Sequence, residues 1–172
     1  MPRTFYAHAA PDCISNRKSG VLVDRIVIHA CDGTFNGTLA WFAKAGRSPP
    51  TSAHYVVSRA GDVAQCVADD KRALHAGGYN SRSIGIELEA RLNPWPARTL
   101  ADGSTKPPPF SVNEFPDAML ISAARVTRVL CAKYGIPVDR SHIIGHVEVP
   151  GATHTDPGPF WDWPAFMERV SS

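Results

Sequence analysis

Asp24-Arg25-Ile26-Val27-Ile28-His29 is a short run in which apolar, mostly β-branched residues follow two charged ones and end on an imidazole. Its composition predicts a buried strand over 24–30. Ile84-Gly85-Ile86-Glu87-Leu88 predicts another, and Ser141-His142-Ile143-Ile144 a shorter one leading into Gly145-His146. Helical patterns lie between them. Leu39, Trp41, Phe42 and Ala43 predict a helix capped by Asn36 or Thr38 and stopped by Gly46 and Ser48-Pro49-Pro50. Over 116–134, Met119, Ala123, Val126, Leu130 and Tyr134 recur at steps of three and four, with Ser122, Arg125 and Arg128 elsewhere on the wheel. Pro116 fits the first helical position, Gly135 the end, and Pro137 prevents resumption. A hairpin is predicted from 54–58 and 63–67 around the turn Arg59-Ala60-Gly61-Asp62, and a last helix over 162–170. Strands alternating with helices, plus a hairpin, give an α/β class: one mixed β-sheet flanked by helices.

The 172 residues suffice for one domain over 1–172, with residues 1–23 as an N-terminal arm. Residues 91–115 stand apart. With Pro94, Pro96 and Pro107-Pro108-Pro109 they are expected to form an insertion loop without regular structure. Within that loop Trp95 is a candidate for stacking on a sugar face. Eighteen basic against sixteen acidic side chains leave a net charge of +2, too little for a nucleic-acid partner. The chain contains no apolar run of bilayer-crossing length, so no membrane partner is expected either. No secretory signal is visible at Met1-Pro2-Arg3, which points to a protein kept in the cytoplasm until released, or secreted if a leader has been trimmed. Cys13, Cys31, Cys66 and Cys131 form no Cys-x-x-Cys pair; their even count permits two disulfides, while the apolar segments around Cys31, Cys66 and Cys131 favour buried free thiols.

Chemistry concentrates in a few positions. His29 and His146 close predicted strands, and Asp156 sits in the turn Thr155-Asp156-Pro157-Gly158. Two neutral imidazoles and one carboxylate suit a zinc ion with one position left for water. His154, two residues earlier, can be a third imidazole ligand in place of Asp156, or can donate a hydrogen bond to an oxyanion. Glu87 and Glu89 share one strand face opposite Ile86 and Leu88, so a carboxylate can face the metal and serve as general base. His75, in the glycine-rich segment Leu74-His75-Ala76-Gly77, can line the same cleft, whereas His54 reads as structural.

Ile26-Val27-Ile28-His29, Ser52-Ala53-His54-Tyr55, Leu74-His75-Ala76-Gly77, Asn80 through Leu88, Ile143-Ile144-Gly145-His146 and His154 through Pro159, in this order, resemble the type 2 zinc-dependent N-acetylmuramoyl-L-alanine amidases. Phage endolysins and peptidoglycan recognition proteins share that fold. The resemblance spans about residues 24–168. It implies zinc on His29, His146 and Asp156, Glu87 as the catalytic acid–base, and hydrolysis of the amide between the lactyl group of muramic acid and L-alanine. His154 stands where many members carry a lysine, and Ala53 where some carry a tyrosine. The implied partner is peptidoglycan, bound by a monomer, with His75, Asn80 and Trp95 as expected substrate contacts. The proline-rich insertion and the ending Pro157-Gly158-Pro159-Phe160-Trp161-Asp162-Trp163 favour polymeric wall and an endolysin-like role. The alternatives are a recycling amidase for soluble anhydromuropeptides and a recognition module that binds without cutting.

Overall fold

Residues of β-strands alternate between two faces, and the strands at the centre of this protein show the consequence directly. In the computed structural model, which describes residues 2–93, 98–99, 105–106 and 111–172, the elements run β1 (Thr4–Tyr6), β2 (Ile14–Asn16), β3 (Arg25–Ala30), α1 (Phe35–Ala43), β4 (Tyr55–Val57), β5 (Val63–Gln65), β6 (Lys71–Ala73), β7 (Ser83–Leu88), β8 (Arg98–Thr99), β9 (Thr105–Lys106), α2 (Asp117–Tyr134), β10 (Ile143–Gly145) and α3 (Trp163–Ser171). Ile26 and Ile28 of β3, with Ile84, Ile86 and Leu88 of β7 and Ile143 of β10, pack in one cluster with Met119, Ala123 and Leu130 of α2 and Phe166 and Val170 of α3. A fully buried Ile or Leu contributes about 1.5–3 kcal/mol, so this face outweighs the cost of polar groups placed on the opposite one. That opposite face carries His29, Ser83, Gly85 and Glu87.

The main sheet has the order β1-β5-β4-β7-β3-β10. β4, β7, β3 and β10 run parallel, while β5 pairs antiparallel with β4 and β1 parallel with β5, so the sheet is mixed as expected. The N-terminal segment is more than an arm. β1 forms a sheet edge, and β2 pairs antiparallel with β6. Within 91–115, β8 pairs antiparallel with β9, contrary to the expectation of no regular structure. Both dipeptides fall between the proline clusters and are themselves free of proline, so a local ladder is open to them. Trp95 lies outside the described residues.

Helix boundaries follow local chemistry. The α1 cap is Thr34, whose hydroxyl accepts from the Gly37 N–H, rather than Asn36 or Thr38. Glu89 supplies a second device there, accepting from the backbone N–H groups of Phe35 and Arg59. Pro116 sits one place before α2 in extended conformation, and Gly135 closes the helix with φ +66°. Ser122, expected off the buried stripe, is buried because α2 also packs sideways on the Ser58–Asp62 turn. A Cβ at Gly61 would come within 2.9 Å of both Ser122 Oγ and the Ala118 carbonyl. Cys13, Cys66 and Cys131 are buried free thiols, and Cys31 is half-buried. No described helix is long and apolar enough to cross a membrane.

Candidate active site

β3 and β7 pair so that His29 stands beside Glu87 in register, both on the face turned away from α2 and α3. β10 ends at Gly145, and His146 opens a single 3-10 turn whose Glu148 carboxylate accepts from the Gly145 N–H at 2.7 Å. The loop carrying Asp156 lies directly on that turn. Val147 N–H donates to the Asp156 carbonyl at 3.0 Å, and a Cβ at Gly145 would meet Pro157 Cδ at 2.7 Å. Glycine at 145 is what lets the two loops touch. As a result His29 Nδ1 lies 2.9 Å from Asp156 Oδ2, and His146 Nδ1 lies 3.0 Å from Asp156 Oδ1. Donor atoms of the three residues all fall within 4.8 Å of one another, close enough to hold one metal ion. They open on a cavity of about 950 Å³ that Glu87, His75, Asn80, His154 and Trp41 also line.

Electrostatics prepare these groups differently. Burial alone would raise the Asp156 carboxyl, but the His146 and His29 imidazoles set against its two oxygens hold it well below the ordinary range. Burial pushes His29 down despite the nearby carboxylate. At neutral pH Asp156 is therefore a carboxylate and His29 a neutral imidazole. Glu87 moves the other way: burial first, and the Asp156 charge second, push it up to about 8. Its Oε2 is buried with no hydrogen-bond partner among the described residues. An orphaned carboxylate oxygen facing a cavity is costly unless chemistry uses it.

The remaining expected site residues divide. His154 is exposed at the rim, its ring 5.3 Å from that of His146. His75 lines the cavity, yet both its ring nitrogens face protein: Nδ1 lies 3.0 Å from His29 Nε2, and Nε2 lies 3.3 Å from Ser83 Oγ. Asn80 is buried, and its Oδ1 accepts from the His75 and Ala76 N–H groups at 2.9 and 2.6 Å. These two, expected to touch substrate, line the cavity and also hold the loop together. His54 is structural: its Nδ1 accepts from Gly85 N–H, its Nε2 lies 3.1 Å from the Lys71 carbonyl, and burial pushes it down to about 3. Trp41 was read from sequence only as a helix residue. It is half exposed on the cavity wall, with its Nε1–H donating to Thr51 Oγ1 and Arg47 stacked on its ring. An exposed tryptophan on an otherwise amphipathic helix is the signal that marks it.

A profile of N-acetylmuramoyl-L-alanine amidases matches residues 18–159. The chain belongs to this family. The amidase hydrolyses the amide between N-acetylmuramic acid and L-alanine. It is 35% identical over 153 residues to the 1,6-anhydro-N-acetylmuramyl-L-alanine amidase AmpD of Salmonella typhimurium (strain SL1344), covering 81% of this chain and 70% of that one. Among solved structures, an AmpD selenomethionine derivative superposes with a TM-score of 0.71 at 27% identity, covering 98% and 94% of the two chains. The Escherichia coli amidase AmiD, solved with the substrate anhydro-N-acetylmuramic acid-L-Ala-D-gamma-Glu-L-Lys, gives 0.65 at 23% identity over 90% of this chain and 60% of that one. The last likeness concerns the fold.

Proposed function

We propose that this amidase is zinc-dependent, with His29 Nδ1, His146 Nδ1 and an Asp156 oxygen as ligands. The convergence of those three donors around one point, beside a buried unpartnered Glu87, is the observation that carries this reading. Two nitrogens and one oxygen are a donor set that zinc accepts while keeping a position open. Bound zinc supplies a Lewis acid for the amide carbonyl and lowers the pKa of water from about 16 toward about 7. Glu87 takes the proton of the attacking water on its free oxygen and returns it to the departing L-alanine amine. Burial helps here, since a carboxylate stripped of water is a stronger base once a cation beside Asp156 offsets that neighbour's charge. His154, at the rim, donates to the carbonyl oxygen as negative charge develops on it. His154→Ala is expected to lower turnover by about 10²–10³-fold while the bound zinc stays at one per chain by atomic emission.

The substrate we infer is a soluble 1,6-anhydromuropeptide rather than polymeric wall. The similarity to AmpD, whose name states that substrate class, supports it. Of the two features that favoured wall in the sequence, the aromatic ending also has another job. Trp161 is buried, packed edge-on against Phe115 and Trp163 and tilted on Phe166, and Arg140 lies over the Trp163 ring. Trp161 is core and Trp163 packs against it, whereas Phe160 is exposed. Trp41, on the cavity wall, joins Trp95 as a candidate for contact with the sugar or stem peptide. Mass spectrometry of digests decides the matter. An anhydromuropeptide should yield anhydro-N-acetylmuramic acid and a stem peptide with free L-alanine faster than purified sacculi release peptide. Faster release from sacculi would return the assignment to a wall lysin.

A further inference from the structure

Behind the proposed ligand His29 lies a chain of hydrogen bonds that ends in the backbone. His29 Nε2 is 3.0 Å from His75 Nδ1, His75 Nε2 is 3.3 Å from Ser83 Oγ, and Ser83 Oγ donates to the Tyr79 carbonyl at 2.7 Å. The carbonyl can only accept, so it takes the single hydroxyl proton of Ser83. Ser83 Oγ then faces His75 as an acceptor, and His75 must carry its proton on Nε2. A neutral imidazole has one ring proton, so His75 Nδ1 is a lone pair. His29 is left to donate from Nε2, and its own Nδ1 is free of a proton and aimed at the point shared with Asp156 and His146. The direction of the whole chain follows from one obligate acceptor at its far end.

Three separate features keep His75 in that place. Its ring lies on the bare backbone of Gly85, where a Cβ would come within 2.5 Å of His75 Nδ1 and 2.7 Å of Cγ. Asn80 holds its main-chain N–H. Gly85 in turn is pinned on β7 by donating to His54 Nδ1 and accepting from His54 N–H at 3.1 Å. The opposite polarity, with a proton on His29 Nδ1 shared with Asp156, would require the Ser83 hydroxyl to leave a 2.7 Å acceptor for one at 3.3 Å. The shorter contact opposes that reversal.

We propose that His75 and Ser83 are positioning residues that hold His29 in the Nε2-protonated tautomer, presenting Nδ1 as a ready metal ligand. This rests on the zinc reading above. Groups that orient a ligating histidine in this way typically matter about 10–100-fold in metal affinity. The test is zinc affinity by competition with a chromophoric chelator, together with long-range ¹H–¹⁵N correlations of the imidazoles in the zinc-loaded protein. His75→Leu is expected to weaken zinc binding about 10–100-fold. His75→Asn, which keeps an acceptor oxygen where Nδ1 stood, should recover part of that loss, a response that mere cavity filling would not give. In the wild type, His75 should show a protonated Nε2 and an unprotonated Nδ1. Ser83→Ala should leave the fold intact and mix the two His75 tautomers. A wild type that binds no zinc would overturn the metal site and the inference together. Zinc affinity unchanged in His75→Leu, or a His75 protonated on Nδ1 in the loaded wild type, would overturn the inference and leave the metal site standing.

Discussion

Glu87→Gln is expected to keep one zinc per chain and to lose about 10²–10⁴-fold in turnover, the range that a positioned general acid–base contributes. Gln has nearly the same shape and can occupy the same pocket on β7, but its amide cannot accept and return a proton. A second effect of the same substitution reads out the burial directly. In the zinc-free protein Glu87 is pushed up to about 8 from 4.5, its value in an exposed chain. A folded-state pKa raised above the unfolded one gives stability that is full below 4.5 and is lost as pH rises through about 8. Gln does not titrate. The melting temperature of Glu87→Gln relative to wild type, both in chelator, should therefore climb between those pH values, with a free-energy difference of at most a few kcal/mol. Other titrating groups are common to both proteins and cancel in the comparison. Melting curves whose separation does not change with pH would show that Glu87 is solvated, and its assigned role would go with that.

Much of this architecture was readable because its central strands are buried on both faces and carry unambiguous patterns. Ile26-Val27-Ile28 and Ile84 through Leu88 could hardly be anything but strands, and alternation placed Glu87 opposite the apolar core side. The short strands β1, β2 and β6 escaped because segments such as Thr4-Phe5-Tyr6 and Lys71-Arg72-Ala73 owe their pairing to distant partners, not to a local pattern. The α1 cap was misplaced for a local reason: Thr34, Asn36 and Thr38 are all capping residues, and packing rather than propensity chose among them. At the site, ligand types and loop chemistry pointed to His29, His146 and Asp156 before any geometry was known. His75 and Asn80 do line the same cleft, but sequence could not show that the ring nitrogens of His75 lie against His29 and Ser83. That arrangement depends on where Gly85 and Ser83 lie beneath the ring. The Trp161 and Trp163 pair shows a similar limit, since the sequence that favoured a wall substrate does not reveal that these rings pack on one another and on Phe166.

Asp156→Asn should remove measurable zinc and bring turnover to background, and the fold should survive it. The loop is secured through the Asp156 carbonyl, which accepts from Val147 N–H, and by the packing of Pro157 on Gly145; neither depends on the carboxylate. What the substitution takes away is the only anionic ligand of the proposed trio. A neutral amide oxygen beside two imidazoles gives a divalent cation no charge to offset its lost hydration. Thermal melts separate loss of metal from loss of fold. Zinc at about 1,000 times its dissociation constant stabilises a protein that binds it by about 4 kcal/mol, and this gain should appear in wild type and vanish in the variant. Without zinc a smaller difference remains, with a definite sign. The Asp156 carboxyl is held below its ordinary 3.8 by the two imidazoles, so its stabilisation is present above that value and is lost as pH falls through the lower folded-state value. The wild type should then be the more stable protein at pH 7, and the gap should close in strong acid. An Asp156→Asn variant that still gains stability from zinc would mean that the cation is held elsewhere, and the assignment of all three ligands would have to be abandoned.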